Sequence, residues 1–211
     1  MQRTLLCVVR HGETAWNAEG RVQGQTDVPL NEAGFAQARA VAAALSGERF
    51  TAIYSSDLLR VTQTAEPIAQ ALALPVRLDA RLRERHYGMF ETLTYAEAKV
   101  LHPEDYARFR AKELDYDFRT GESLRDFFAR SIACLAEIAA RHAGAGVLIF
   151  THGGVLEMAY RYAHRLGLSS TRDFEIPNAA LNRIAVEGQD WKILGWADCG
   201  HLEAALDDLP D

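Results

Sequence analysis

Two histidines of this chain follow short apolar runs and are themselves followed directly by glycine. Leu5-Leu6-Cys7-Val8-Val9 precedes Arg10-His11-Gly12, and Val147-Leu148-Ile149-Phe150-Thr151 precedes His152-Gly153-Gly154. A short apolar run without alternation is typical of a strand buried inside a parallel sheet. Ligands of open α/β sheets bind beyond the carboxyl ends of the strands. We therefore expect both imidazoles and the Arg10 guanidinium at one shared site.

The residue types around these histidines favour an anion. The guanidinium of Arg10 can donate bidentate, charge-assisted hydrogen bonds to an oxyanion, and Gly12 lets the backbone approach a ligand closely. Gly153 and Gly154 open a predicted helix, whose free N–H groups and positive dipole end attract an anion. Arg60 lies in the first turn of another predicted helix, where a cation is unfavourable unless an anion is bound. A surface ion pair is the alternative for Arg60.

A carboxylate lies among cations in Arg83-Glu84-Arg85-His86. An ion pair is the ordinary interpretation of such a carboxylate. The alternative is that Glu84 donates a proton to a leaving oxygen. The residues of this segment alone leave both interpretations open.

Composition restricts the class of protein. With 211 residues, 48% hydrophobic and 25% charged, the chain is long enough to bury a substantial core as one domain. The net charge of -6 argues against nucleic acid and against an anionic membrane surface as partners. No apolar run reaches membrane-spanning length and no signal peptide is recognisable, so we expect a cytoplasmic protein. The cysteines have no metal-binding spacing and are expected to be free thiols: Cys7, Cys134 and Cys199.

Strand and helix signals alternate along the chain, which predicts a mostly parallel sheet with helices on both faces. Helices are predicted at 13–19, from Asn31 to about Ser46, at 58–72 and 126–142, and from His152 to about Arg165. Further strands are predicted at 51–54, 75–78, 180–186 and 191–196, the last two as a hairpin. We expect Ser55, Ser56 or Asp57 to cap the helix that begins at Leu58. An edge strand at 180–186 could pair with a second copy, so a homodimer is one alternative.

The segment from Tyr87 to Arg125 interrupts this alternation. It has helical signals, many charges and several aromatic residues. An insertion of this kind between core elements is commonly a cap or lid. A solvated helical hairpin is the alternative. Candidates for contact with the leaving group of a substrate are Arg85, His86, Tyr87, Tyr95 and Arg119.

Taken together, these motifs resemble the histidine phosphatase superfamily, the phosphoglycerate mutase-like branch 1. The resemblance covers nearly the whole chain. It is carried by the segments 5–17, 21–30, 54–65, 84–88, 121–123, 151–154 and 196–202. It implies a three-layer α/β/α sandwich with a mostly parallel central sheet, formed by a single domain over residues 1–211, with a helical cap at about 87–125.

The resemblance also implies roles for individual residues. His11 would be the nucleophile that becomes phosphorylated, and Glu84 the general acid and then the general base. The phosphoryl oxygens would be held by Arg10, Arg60 and His152. The phosphate pocket would be completed by Asn17, Gln23, Gly24 and the amide of Gly153. Phosphoryl transfer needs mainly positioning and charge stabilisation, which these groups supply. No metal or other cofactor is expected, because neither HExxH nor a Cys/His quartet is present.

The superfamily contains phosphatases and mutases, and this sequence mixes their signals. The segment from Glu84 to Gly88 resembles the mutases. However, no arginine pair lies between Tyr87 and Arg125 to grip a substrate carboxylate, and Thr92 replaces the usual glycine after Glu91. Gln23-Gly24 and 121–123 resemble the phosphatases. We expect hydrolysis of a small phosphorylated substrate, with mutase-type phosphotransfer as the alternative. A catalytically silent relative that binds phosphorylated ligands or a protein is less favoured.

Overall fold

The computed structural model describes residues 2–202 and contains a sheet of six strands. The strands are β1 (Thr4–Arg10), β2 (Ala52–Ser55), β3 (Val76–Leu78), β4 (Gly146–Thr151), β5 (Leu181–Glu187) and β6 (Asp190–Asp198). Their order across the sheet is β3-β2-β4-β1-β5-β6. β1 and β4, β4 and β2, and β2 and β3 pair in parallel, whereas β5 and β6 form an antiparallel hairpin beside β1. The sheet is therefore mostly parallel, as predicted.

The position of β5 corrects one expectation from the sequence. We expected residues 180–186 to supply an edge strand, but β5 lies between β1 and β6. The hairpin connection brings β6 to the outside of β5, so the edges of this sheet are β3 and β6. A homodimer that forms through 180–186 therefore has no free strand edge to use.

Helices cover both faces of the sheet. They are α1 (Ala15–Ala18), α2 (Glu32–Leu45), α3 (Leu59–Leu72), α4 (Tyr95–Leu101), α5 (Pro103–Arg110), α6 (Leu124–Arg141) and α7 (Gly153–Ala163). Alternate residues of β1 separate the two cores, because successive side chains of a strand point to opposite faces. Leu6 and Val8 pack in the cluster that contains α6 and α7, whereas Cys7 and Val9 pack with α2 and α3. This is the three-layer α/β/α arrangement.

The start of α3 differs from the prediction. Its N-cap residue is Leu58, which has no side chain capable of capping. Instead, Asp27 accepts the N–H of Leu59 through its carboxylate at 2.7 Å. Asp27 comes from the loop before α2, and its negative charge is favourable at a helix N-terminus. None of the predicted capping residues, Ser55, Ser56 and Asp57, is the N-cap of α3. Ser56 only accepts the N–H of Leu58, at 3.4 Å, and takes part in the candidate active site.

Between β3 and α6 the chain forms a helical excursion with an aromatic core of its own. Phe90 and Phe118 are fully buried and pack with Val22, Ala98 and Tyr116. This cluster is separate from the two cores against the sheet. The predicted cap segment thus has a packed interior, which disfavours the solvated hairpin. In the described part of the chain, 2–202, none of the helices combines the length and apolar character needed to cross a bilayer.

Candidate active site

The register of β1 and β4 places the two histidines side by side. Arg10 is paired with Thr151, so both strands end at the same level of the sheet and each is followed at once by its histidine. The rings of His11 and His152 lie edge to face, with centroids 5.3 Å apart. Two imidazoles separated by 141 positions in the sequence thus meet because parallel strands bring their carboxyl ends together.

One tautomer of His11 is fixed by its neighbour. Nδ1 lies 2.7 Å from the carbonyl oxygen of Gly12, which can only accept, so Nδ1 carries the proton. The lone pair is therefore on Nε2, which no side chain or backbone group in residues 2–202 engages in a hydrogen bond. Burial, followed by the charges of Arg60 and Arg10, lowers the pKa of His11 well below its usual range. His11 is a neutral imidazole with a free Nε2, which is the form that can act as a nucleophile.

The turn that carries His11 is held from two sides. The N–H of Gly12 donates to the hydroxyl of Thr64 in α3 at 2.9 Å. The side-chain amide of Asn178 donates to the carbonyl oxygens of His11 and Gly12 at 3.0 and 3.3 Å. Sequence reasoning missed Thr64 and Asn178. A threonine inside a helix and an asparagine before a strand are both common, and no local pattern links either to His11.

Arg60 is fully buried at the start of α3. Its guanidinium donates to the carbonyl oxygens of Gly24 at 2.7 Å and Thr26 at 2.9 Å. Burial lowers its pKa to about 10, so it stays charged at neutral pH. Within residues 2–202 it forms no ion pair, which disfavours the surface-pair alternative. A buried cation whose partners in the described chain are all neutral leaves its charge available to an anion.

His152 is bound to Arg60 and Ser56. Arg60 donates to Nδ1 of His152 at 3.2 Å, so Nε2 carries the proton and donates to the hydroxyl of Ser56 at 3.0 Å. Burial, followed by the charge of Arg60, lowers the pKa of His152 well below its usual range. His152 is therefore neutral and orients Arg60. The only sequence signal for Ser56 was its place in the polar run from Ser55 to Asp57, where β2 ends.

Arg10 supplies a second guanidinium, on a half-buried side chain. One of its terminal nitrogens donates to the carbonyl oxygen of Ile176 at 2.5 Å. The Nε atoms of Arg10 and Arg60 are both buried donors, and neither has an acceptor among the described residues. Buried donors are normally paired. Two arginines with unused N–H groups beside neutral histidines form a site suited to an oxyanion.

Glu84 faces the amino end of α7. Its Oε1 accepts the N–H of Arg85 at 2.7 Å, and its Oε2 accepts the N–H of Gly154 at 2.9 Å. A Cβ atom on Gly154 would lie 2.0 Å from Oε1, so this approach requires glycine. The flanking arginines point elsewhere: Arg83 pairs with Asp57, and Arg85 donates to backbone carbonyls. No ion pair to Glu84 exists in the described chain, which favours the proton-donor interpretation over the ion pair.

The remaining predicted pocket residues are placed as follows. Gly24 has a positive φ of 51° and gives its carbonyl oxygen to Arg60. Gln23 is buried, and its side-chain oxygen has no partner in residues 2–202. Asn17 lies within α1, and its side-chain oxygen accepts from the backbone and hydroxyl of the N-cap residue Thr14, which completes a capping box. A Cβ on Gly153 would lie 3.4 Å from Nε of Arg10, so this glycine borders the arginine.

A cavity of about 750 Å³ opens from this group of residues toward the cap. Arg10, Glu84 and Gly153 line this cavity, whereas His11, Arg60 and His152 are buried and do not line it. Of the proposed leaving-group contacts, three line the cavity: Arg85, Tyr87 and Tyr95. Two do not: Arg119 forms an ion pair with Asp105, and His86 lies 3.6 Å from Glu91.

Three further cations line the same cavity: Arg110, Lys112 and Arg172. Lys112 donates to the carbonyl oxygen of Ser170 at 2.6 Å, which joins the cap to the loop after α7. Arg172 lies 3.6 Å from Glu157, whose carboxylate also pairs with the fully buried Arg161. Sequence reasoning did not single out Lys112 or Arg172, because nothing in their local sequence connects them to Arg110. The described residues contain no group of three or more His, Cys, Asp or Glu side chains placed to hold a metal ion.

Known proteins share the sequence pattern and the fold of this chain. The sequence profile of the histidine phosphatase superfamily (branch 1) matches residues 6–199. Phosphoglycerate mutase-like protein 4 of Arabidopsis thaliana is 41% identical over 202 residues, which cover 94% of this chain and 86% of that protein. A metal-independent phosphoserine phosphatase of the same plant is 39% identical, covering 95% and 84%. The structure of Bacillus stearothermophilus YhfR superposes with a TM-score of 0.87 at 33% identity, covering 94% and 99%.

Proposed function

This chain belongs to branch 1 of the histidine phosphatase superfamily, and from that membership we propose that it hydrolyses phosphate monoesters without a metal, through a phosphohistidine at His11. One observation carries the proposal: the proton of His11 is held on Nδ1 by the Gly12 carbonyl, which leaves Nε2 free beside Arg10 and Arg60. A neutral imidazole among fixed cations can attack a phosphoryl group without first losing a proton.

The proposed reaction has two steps. In the first, Nε2 of His11 forms a bond to phosphorus while the bond between phosphorus and the ester oxygen breaks, and Glu84 gives its proton to the departing alcohol. In the second, Glu84 takes a proton from water, whose oxygen attacks phosphorus and releases inorganic phosphate and neutral His11. Arg10 and Arg60 stabilise the charge on the phosphoryl oxygens in both steps. His152 acts through Arg60, which it orients.

We further propose that the alcohol part of the substrate carries a second anionic group, such as a carboxylate. Arg110, Lys112 and Arg172 line the same cavity as Glu84. Burial, followed by the charge of Arg161, lowers the pKa of Lys112. An anion placed there would reduce the mutual repulsion of these cations. The Arabidopsis relative named as a phosphoserine phosphatase supports this class of substrate.

Mutase-type phosphotransfer is the second candidate, because the same cations could hold a bisphosphorylated intermediate and one relative is named as mutase-like. Hydrolysis is favoured because the side chain of Arg172 is 51% exposed and its pairing with Glu157 is long, at 3.6 Å. Exposed charges are screened by water and hold an anion weakly. An intermediate held in this way would dissociate or react with water before it could reorient in the site.

Matched pairs of substrates test the proposal. Phosphate release from phosphoserine is compared with release from phosphoethanolamine, which lacks only the carboxylate, after dialysis against a chelator. We expect activity to survive chelation and kcat/KM to be higher for phosphoserine. Arg172→Gln should lower kcat/KM about threefold for phosphoserine, the effect of one half-exposed charge, and leave phosphoethanolamine unchanged. Arg119→Gln is the control, since Arg119 does not line the cavity. Absence of phosphate release from every monoester would refute hydrolysis, and equal rates on both substrates would refute the second anion.

A further inference from the structure

Glu91 is a carboxylate of the cap with an unusual set of partners. Its side chain is only 12% exposed. Oε1 accepts the backbone N–H groups of Gln25 and Tyr87, each at 3.0 Å, and Oε2 accepts the hydroxyl of Thr26 at 2.9 Å. No arginine or lysine within residues 2–202 pairs with it, and the nearest basic group is the His86 ring at 3.6 Å. Its hydrogen bonds are thus directed at one short loop and at the segment that follows Glu84.

The short loop from Gly24 to Thr26 lies between Glu91 and Arg60 and bonds to both. Glu91 accepts the N–H of Gln25, and the carbonyl oxygen of the same peptide unit, that of Gly24, accepts from Arg60 at 2.7 Å. A trans peptide unit is planar, and its N–H and C=O point in opposite directions. The carboxylate therefore fixes this plane from one side while the guanidinium contacts it from the other. A carboxylate on the N–H also polarises the peptide and strengthens its carbonyl as an acceptor.

Thr26 repeats this arrangement. Its hydroxyl donates to Oε2 of Glu91, and its carbonyl oxygen accepts from the other terminal nitrogen of Arg60 at 2.9 Å. The Gly24–Gln25 peptide unit and Thr26 supply the two carbonyl oxygens that accept from the guanidinium, and both also donate a hydrogen bond to Glu91. The fit is close, since a Cβ atom on Gly24 would lie 2.1 Å from Oε1 of Glu91.

We propose that Glu91 is a positioning residue for the candidate phosphate site: it fixes the Gly24–Thr26 loop, and through the two carbonyl oxygens of that loop it sets the direction of the Arg60 guanidinium. The inference rests on the proposed function only in treating Arg60 as a ligand of the phosphoryl group. It assigns to a residue outside the cavity lining an effect on anion affinity.

Binding of inorganic phosphate, measured by calorimetry, tests this role without requiring turnover. We expect Glu91→Ala to weaken binding about tenfold or more, the effect of losing charge-assisted hydrogen bonds. Glu91→Gln keeps an amide oxygen as an acceptor, so it should recover part of the affinity. The control is Glu97→Ala. Glu97 is also a cap carboxylate bonded to backbone and arginine, through Thr94 and Arg21, but it does not touch the loop. Glu97→Ala should lower the stability of the protein and leave its dissociation constant for phosphate unchanged.

A double-mutant cycle separates positioning from general loosening. If Glu91 acts through Arg60, Glu91→Ala should change phosphate affinity less than about twofold in an Arg60→Ala background, because coupled residues are not additive. Crystal structures of Glu91→Ala and the wild type give a readout that needs no ligand. We expect the Gly24 carbonyl to turn and Arg60 to lose at least one of its two carbonyl contacts.

An unmoved Arg60 in the Glu91→Ala structure, or full additivity in the cycle, would overturn the positioning role even if the enzyme is a phosphatase. Conversely, a wild-type protein that does not bind phosphate would overturn the proposed function. The crystal structures would still decide whether Glu91 sets the direction of Arg60.

Discussion

A terminal nitrogen of Arg60 lies 3.2 Å from Nδ1 of His152, so a guanidinium donates to an imidazole that must remain unprotonated to accept. The same guanidinium is one of the charges that lower the pKa of His11. Burial and, after it, the charge of Arg60 therefore keep both rings of the histidine pair in their neutral form. This relationship has a consequence for stability as well as for chemistry.

Stability should fall in mild acid because of these two rings. Burial, followed by the charge of Arg60, lowers the pKa of both histidines in the folded protein. The unfolded chain binds these protons near pH 6.5 and the folded chain does not, so the free energy of unfolding decreases as the pH falls below about 6.5. Each ring should contribute about 1.4 kcal/mol per pH unit in that range. The free energy of unfolding of wild type and of His11→Gln is measured with urea from pH 7.5 to 5, without phosphate. Its slope against pH should be steeper for wild type by about 1.4 kcal/mol per pH unit, which corresponds to one proton. Parallel curves would contradict the neutral state of His11.

His11→Ala should abolish turnover, because in the proposed mechanism it removes the imidazole that attacks phosphorus beside Arg10 and Arg60. Wild-type enzyme that is mixed with a labelled substrate and quenched in base should carry label that is stable to alkali and lost in acid. His164→Ala is the control, since this exposed histidine follows α7 away from the site. Normal turnover of His11→Ala would refute its assignment as the nucleophile.

Glu84→Gln should separate substrates by their leaving groups. The carboxylate faces the cavity and accepts from Gly154, and the amide has the same shape but cannot protonate an alkoxide. Hydrolysis of alkyl phosphates should slow by about a hundredfold or more, the usual range for loss of a general acid. Nitrophenyl phosphate should be much less affected, since its leaving group needs no proton. An equal loss of kcat on both substrates would mean that Glu84 only holds the amino end of α7.

Hydrolysis should exceed isomerisation. Phosphate release from 3-phosphoglycerate is compared with its conversion to 2-phosphoglycerate, with and without priming by the bisphosphate. Because the cations of the cavity are separate and partly exposed, we expect little conversion in either condition. Conversion faster than phosphate release would show that Arg110, Lys112 and Arg172 act together as the clamp that sequence reasoning did not find.

Thr92→Gly should stabilise the protein. Thr92 adopts a positive φ of 75°, which is unfavourable for a β-branched residue, and it is exposed. Relief of about 1–3 kcal/mol of strain exceeds the cost of about 0.5–1 kcal/mol for the added freedom of glycine in the unfolded chain. A net gain of about 1 kcal/mol should appear as a higher denaturation midpoint. Thr120→Gly, at another exposed threonine of the cap without a positive φ, should destabilise or have no effect. A lower midpoint for Thr92→Gly would contradict the presence of strain.

The parts of the fold with strong local signals were predictable. Asn31 caps α2, with its side chain accepting the N–H of Gly34, and the apolar runs before both histidines are β1 and β4. What could not be predicted depends on residues far apart in the chain. Asp27 covers the start of α3 from another loop, because an anion is favourable there, and no spacing rule identifies it.

The candidate site divides in the same way. Arg10, His11 and His152 follow directly from two strand ends. The family resemblance supplied the proposed role of Glu84, and the geometry adds that no ion pair competes for it within residues 2–202. Asn178 and Arg172 were missed because a single polar residue in a loop carries no local pattern. Their importance arises only when the fold brings that loop back to β1.

The contacts of Ile176 and Asn178 with Arg10 and His11 also bear on how the protein is made. The turn after β1 emerges early from the ribosome, but the groups that hold it are synthesised more than 160 residues later. Contacts so distant in sequence form late, since closing a long loop carries a large entropic cost. A growing chain should therefore form β1 to β4 and the helices that cover them before it can bind an oxyanion, and competence should arise abruptly when β5 docks against β1.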